Sequence, residues 1–311
     1  MSRQIWAWVR VLGGIAVLAF LVHQVGAGPF LDGVRMVDGW SLAAALGIGA
    51  LTTVCCAWRW ALVARSLGVG LTLPVAVAAY YRSLFLNTTL PGGVVGDVHR
   101  AVRHGREIGD VPMGVRAVVV ERIAGLVVTI VLAVGVLAVF PSPVRSHMPA
   151  AVAALAVIGL CVLGALAVAR RGTSWWRRAI ATAGSYVRKG LATRRTWVGV
   201  VVATAAVLAG HLTTFLLAAR TAGATAPLSL LAPLTLLALL AMALPVNIAG
   251  WGPREGVAAW AFGAAGLTAA QGVATAVVYG VLVLVATLPG AAVLLTRRIG
   301  RQRHVLRYTH G

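Results

Sequence analysis

Three carboxylates, Asp97, Glu121 and Glu255, stand where a chain this apolar has little reason to place charge. Only seven Asp or Glu occur among the 311 residues, against 27 Lys and Arg. Each of the three has an arginine close by, at Arg100, Arg122 and Arg254, and each lies inside or beside a long apolar run. A charge at membrane depth costs roughly 2.5–3.5 kcal/mol, so such a group is expected to have a partner or a task. Two chemistries are open to carboxylate and guanidinium sets of this kind. One is recognition of an anion such as a phosphate, and the other is proton transfer by a carboxylate.

Asp97 and Glu255 follow breaks in the apolar pattern. The first break runs from Asn87 through Leu90-Pro91-Gly92-Gly93 to Gly96-Asp97 and Arg100. Pro91 stops a preceding helix, while the glycines permit positive φ and close backbone approach. A helix starting near Val94 would aim its first N–H groups into the break, where an anionic headgroup is well served. Asp97 and Arg100 are three apart and able to pair on that helix. Two readings therefore stay open: an anion site, or a carboxylate that only neutralises its neighbour.

The second break contains Pro245, Asn247, Gly250, Trp251 and Gly252, then Pro253, Arg254 and Glu255. Pro253 suits a first helical position. Arg254 and Glu255, adjacent on a helix, point about 100° apart, so each is expected to find a partner elsewhere. Glu121-Arg122 begins another apolar run. Arg122 either snorkels to an interface or pairs inside, and Glu121 is expected to bond Arg254 or Arg100 across the bundle. His211, alone within a span, is expected to be a hydrogen-bonded packing residue. Cys55, Cys56 and Cys161 lack metal spacing and are read as small buried hydrophobes.

The elements that must carry these residues follow from composition. The chain is 60% hydrophobic, its mean hydropathy is +0.91, and its apolar runs far exceed about 18 residues. This predicts an all-α, polytopic membrane helix bundle, because a helix satisfies its own backbone in lipid. Full spans are expected at 5–25, 40–64, 117–140, 149–169, 196–219 and 272–296. The first is read as an uncleaved span, although Val25-Gly26-Ala27 resembles a signal-peptidase site. Asp32, Arg35 and Asp38 are assigned to a short loop after it. Trp58-Arg59-Trp60 is read as an interfacial anchor needing no further role.

Basic residues fix the expected orientation. Arg100, Arg103, Arg106 and Arg116 crowd one loop, eight Lys or Arg lie between Arg170 and Arg195, and five arginines lie between Arg297 and Arg307. Placing all three, and both termini, in the cytoplasm requires that 71–93 and 228–267 each enter and leave on one side. The expectation is about six full spans plus two oppositely oriented re-entrant or broken helical hairpins, the alternative being ordinary full crossings. Residues 1–296 form a single transmembrane domain and 297–311 a basic cytoplasmic tail. The segment 170–195 is either an amphipathic surface helix or a solvated loop. The formal charge of +20 is assigned to anionic lipid headgroups, with no nucleic acid, since the basic residues lie between spans. Arginine bias itself says little about phosphate, because Lys189 is the only lysine in an Ala-, Gly- and Val-rich sequence.

In order and spacing, Asn87, Leu90-Pro91-Gly92, Gly96-Asp97, Arg100, Glu121-Arg122, Pro245, Gly250, Gly252 and Glu255 resemble the flippase-like transmembrane domain of bacterial lysylphosphatidylglycerol synthases and its stand-alone relatives. The resemblance covers about 5–296. It implies movement of phospholipid, aminoacylated phospholipid or a polyprenyl-phosphate-linked lipid between leaflets of the bacterial cytoplasmic membrane. The synthases carry a soluble aminoacyl-transferase domain after the membrane part, for which the residues after 296 leave no room. Aminoacylation by this chain alone is therefore not expected.

The leading expectation is a lipid translocase with no chemical step and no cofactor or metal. A headgroup phosphate would lie near Arg100, Arg122 and Arg254, with Asp97, Glu121 and Glu255 holding those arginines or engaging a lipid amine. No G-x-x-x-x-G-K-[ST] motif occurs, so nothing points to ATP-driven pumping. The rivals are an intramembrane transferase on a polyprenyl-phosphate lipid, with Asp97 or Glu121 as general base, and a non-catalytic partner of a separately encoded lipid-modifying enzyme.

Overall fold

The computed structural model describes residues 26–90, 93–140, 142–147, 193–242 and 251–295, together with scattered residues between them. Pro91, Gly92, Pro245, Asn247, Gly250 and Cys161 lie outside the described residues, as do most of the expected spans 5–25 and 149–169, most of 170–195, and the tail. The described elements are helical: α1 (Gly28–Arg35), α2 (Gly39–Ser66), α3 (Leu73–Thr89), α4 (Val95–Glu107), α5 (Val111–Val139), α6 (Arg194–Thr221), α7 (Leu228–Ala241), α8 (Pro253–Ala264) and α9 (Ala269–Thr287). The chain is a polytopic all-α membrane protein. Among the described residues, Gly39–Ser66, Val111–Val139, Arg194–Thr221 and Ala269–Leu295 are long and apolar enough to cross a bilayer.

Faces are set by residue size and polarity. On α5, Val119, Ile123, Leu126, Val127 and Val131 form an exposed stripe at helical spacing, the arrangement expected of a surface turned to lipid tails. Its other face buries Glu121, Ala124, Gly125 and Val128. α2 and α6 run antiparallel in close contact: Gly199 lies against Leu62 and Trp58, and Gly210 against Thr52 and Ile48. Small residues permit that approach where packing, rather than a hydrophobic driving force, holds helices together. Asp38 caps α2, accepting from the Ser41 amide at 2.8 Å, and the Ser41 hydrogen bonds hold its carboxyl below the usual range.

Two expectations about boundaries change. The segment holding Asp32 and Arg35 is the short helix α1, and Gly33 sits 3.0–3.1 Å, measured from an added Cβ, from Ala274 and Val277 of α9. Residues 71–93 do not contain a whole hairpin. They contribute one continuous helix, α3, and the returning arm is α4, which carries Asp97 and Arg100. The joint is turned by Leu90 in an extended conformation and Gly93 at φ 61°. α4 then lies so close to α3 that a Cβ on Gly96 would meet the Ser83 carbonyl oxygen at 1.9 Å. The second hairpin, α7 and α8, falls within 228–267 as expected, and Gly252 at φ 118° precedes Pro253 at the start of α8.

α9 is the ruler against which both hairpins are placed. Gly272 touches the Ala258 backbone in the body of the second hairpin, and Gly280 touches Arg254 and Trp251 at its tip. Further along, Thr287 meets Thr88 at the first hairpin's tip, 3.2 Å between hydroxyls. Gly290 then touches Tyr81 and Phe85 in that hairpin's body. The hairpins thus approach α9 from opposite ends, and their tips are separated along it by about 10 Å at 1.5 Å per residue.

Candidate functional site

Glu121 is fully buried on α5 and anchors a network drawn from five helices. Its Oε1 accepts from Arg59 Nε of α2 at 2.7 Å and from the Tyr80 hydroxyl of α3 at 3.0 Å. Its Oε2 accepts from Arg100 Nη2 of α4 at 3.2 Å. Arg59 also donates to Thr204 of α6 at 3.0 Å. A carboxylate removed from water is tolerable when charged donors surround it in this way.

Asp97 forms the second node. Oδ1 accepts from Arg100 at 2.9 Å, Arg122 at 2.6 Å and Ser83 at 3.2 Å. Oδ2 accepts from Asn87 Nδ2 at 3.2 Å, while Asn87 Oδ1 accepts from the Gly96 amide at 2.7 Å. Asn87 therefore caps the α4 N-terminus from α3 and fixes Asp97 in the same move. One helix-end amide expected to face a headgroup is already occupied by the protein.

Arg100 links the nodes. Its guanidinium lies 4.5 Å from the Trp60 ring centroid and 4.1 Å from that of Tyr80, while its buried Nε and Nη1 have no hydrogen-bond acceptor among the described residues. The aromatic faces stabilise a cation that hydrogen bonding leaves incomplete. Within this hydrogen-bonded set, three guanidiniums stand against two carboxylates, leaving one positive charge in excess. Arg122, whose side chain is 41% exposed, is the member that reaches outward.

Arg254 and Glu255 make a separate group. Contrary to the expectation that each finds a partner elsewhere, Arg254 donates to Glu255 through Nε at 2.9 Å and through Nη2. The backbone allows this because Glu255 turns back to accept from the Gly252 amide at 2.6 Å, a capping interaction that brings its carboxylate over the helix start. Arg254 also packs on Trp251 and Tyr279, 5.0 and 5.2 Å from the ring centroids. Glu121 bonds Arg100, not Arg254. Tyr279 meets His211 Nδ1 at 2.9 Å, so the histidine is hydrogen-bonded as expected.

Between the two groups lies a cavity of about 230 Å³. The first hairpin contributes Asn87, Thr88 and Gly93 to its wall, and Met242 comes from the end of α7. α2 contributes Thr52, Thr53 and Cys56, α6 His211 and Thr214, and α9 Thr287. Among the described residues no charged side chain lines it. Asn87 connects its wall to the Asp97 network, and His211 connects it to Tyr279 beside Arg254.

Of the residues singled out by sequence, Asn87, Gly96, Asp97, Arg100, Glu121 and Arg122 meet in one network. Gly252, Arg254 and Glu255 meet in the other. Arg59 corrects the sequence reading: it is buried and paired to Glu121, not an interfacial anchor. The available signal was its depth, since α2 continues seven residues beyond it to Ser66. Tyr80 and Thr204 had no comparable signal.

The family model described as Lysylphosphatidylglycerol synthase TM region matches residues 7–290. No curated protein matches the chain.

Proposed function

Because the chain belongs to the lysylphosphatidylglycerol synthase TM region family, we propose that it is a lipid translocase, moving phosphate-bearing lipids between leaflets without altering them. The observation that carries this reading is the cavity lined by the tip of the first hairpin, the end of α7 and α9, along which the two opposed hairpins approach each other. Opposed broken helices are a recurring way of building a substrate site in transporters. The neighbouring network, with its excess positive charge, supplies an attractive field for a phosphate in a low-dielectric setting. Arg122, the outward-reaching member of the network, would receive the phosphate. Arg59 and Arg100, held by Glu121 and Asp97, would fix the field and the shape. Acyl or isoprenoid tails would stay in lipid.

In this reading the basic loops and both termini face the cytoplasm of a bacterium, and any aminoacylation belongs to a separately encoded enzyme. Reconstitution into vesicles with phospholipid labelled on an acyl chain tests it. Leaflet exchange should exceed that of protein-free vesicles, and Arg122→Ala should slow it at least about tenfold while leaving the protein folded, as loss of one charge-assisted contact implies. Exchange no faster than in empty vesicles would refute translocation. Chemical conversion of the lipid would instead establish a transferase.

A further inference from the structure

Five threonines from four helices line the cavity, and the hydroxyl of each lies within hydrogen-bond reach of a carbonyl on its own helix. Thr52 and Thr53 donate to the Gly49 carbonyl at 3.0 and 2.7 Å, and Thr214 to that of Gly210 at 2.9 Å. Thr287 donates to the Leu284 carbonyl at 2.8 Å. Thr88 reaches those of Leu84 and Phe85 at 3.0 and 3.1 Å. A hydroxyl has one proton and two lone pairs. With the proton committed to the backbone, as at Thr52, Thr53 and Thr214, what remains for a ligand is acceptor capacity. At Thr52, Thr53 and Thr214 no donor from the described residues occupies it.

Asn87, the amide on the same wall, leaves that balance on the acceptor side. One of its two Nδ2 protons goes to Asp97 and its Oδ1 accepts from the Gly96 amide, so a single amide proton stands against the free acceptors of three threonines. Among the described residues the wall also lacks a carboxylate, so it does not select cations by charge.

Resting on the translocation reading, we propose that the cavity selects lipid headgroups by their hydrogen-bond donors. It takes headgroups bearing N–H or O–H and rejects those that carry none, whatever their net charge. A site with buried acceptors discriminates strongly against an isostere unable to satisfy them, since the acceptors are then left desolvated and unpaired. Phosphatidylethanolamine and phosphatidylcholine make the sharpest comparison, because both are zwitterionic at neutral pH and only the former has N–H groups.

The test uses the full chain in vesicles with acyl-labelled lipids, so that the headgroup is unmodified. Phosphatidylethanolamine should exchange at least about tenfold faster than phosphatidylcholine. N,N-dimethyl-phosphatidylethanolamine, nearly as bulky as choline but with one N–H, should follow the faster lipid. Thr52→Val with Thr214→Val should reduce the preference, whereas Thr52→Ser with Thr214→Ser should keep it.

Exchange of choline and ethanolamine lipids within twofold of each other would overturn donor selection while leaving translocation standing. If the dimethyl lipid behaves like choline, size is the criterion and donor selection is likewise overturned. If no lipid exchanges, translocation fails, and the donor rule is then decided by binding to detergent-solubilised protein. There, phosphatidylethanolamine must raise Tm more than phosphatidylcholine, and equal shifts would refute it.

Discussion

Arg59 and Glu121, 62 positions apart, are joined by two hydrogen bonds from one guanidinium to one carboxylate oxygen. The pair ties α2 to α5 inside the bundle, with 6% and 0% of the side chains exposed. Removing one partner of such a pair strands a buried charge, at a cost of about 3–5 kcal/mol. Arg59→Ala is therefore expected to lower stability by about 3 kcal/mol, read from unfolding in detergent. Arg59→Met with Glu121→Leu should cost less than the sum of the single changes, because no charge of the pair is left alone. Additive losses would mean that the two do not act as a pair.

Gly96 and Gly135 give opposite predictions for the same substitution. A Cβ on Gly96 would meet backbone at 1.9 Å, whereas one on Gly135 would meet nothing within 4 Å. Gly96→Ala must push α4 from α3, separating Asn87 from the Gly96 amide, and is expected to abolish leaflet exchange or folding. Gly135→Ala, on the exposed side of the last turns of α5, should stabilise by up to about 1 kcal/mol through helix propensity. Thermal unfolding of both variants checks the close approach of the hairpin arms.

Asn87 holds a donor to Asp97 and an acceptor to the α4 start. Asn87→Asp keeps the acceptor but sets a second carboxylate against Asp97. The expected result is a loss of about 1–3 kcal/mol from an unpaired buried group, with slowed exchange. Asn87→Asp behaving as the unmodified protein in both assays would show that the cap does not position Asp97.

The opposed hairpins predict a labelling pattern. Glu107, at the base of the first hairpin, and Thr225, before the second, are both exposed. In a background lacking Cys55, Cys56 and Cys161, Glu107→Cys and Thr225→Cys should react with an impermeant maleimide from opposite sides of the membrane. Reaction from the same side would mean that the hairpins do not enter from opposite leaflets.

Much of this arrangement was legible as sequence, for identifiable reasons. Asp97 and Arg100 stand three apart, a spacing that dictates contact on a helix. Glu121 inside an apolar run required a partner, and the Pro and Gly breaks marked hairpin tips. Arg59 was hidden because tryptophan flanks it on both sides, the pattern of an interfacial anchor, and its partner lies 62 residues away. The Arg254–Glu255 pair was missed because helical angles alone suggest divergence; the Gly252 cap bends the carboxylate back. The threonines of the cavity look like ordinary span residues, since only three-dimensional packing gathers four helices around one space.

The most direct test of the central claim exploits Thr88 and Thr287, whose hydroxyls meet at 3.2 Å between the first hairpin's tip and α9. In the cysteine-free background, Thr88→Cys with Thr287→Cys should form a disulfide that locks this wall of the cavity. Leaflet exchange is predicted to stop on oxidation and return on reduction. Undiminished exchange with the disulfide fully formed would contradict passage of the headgroup through this cavity.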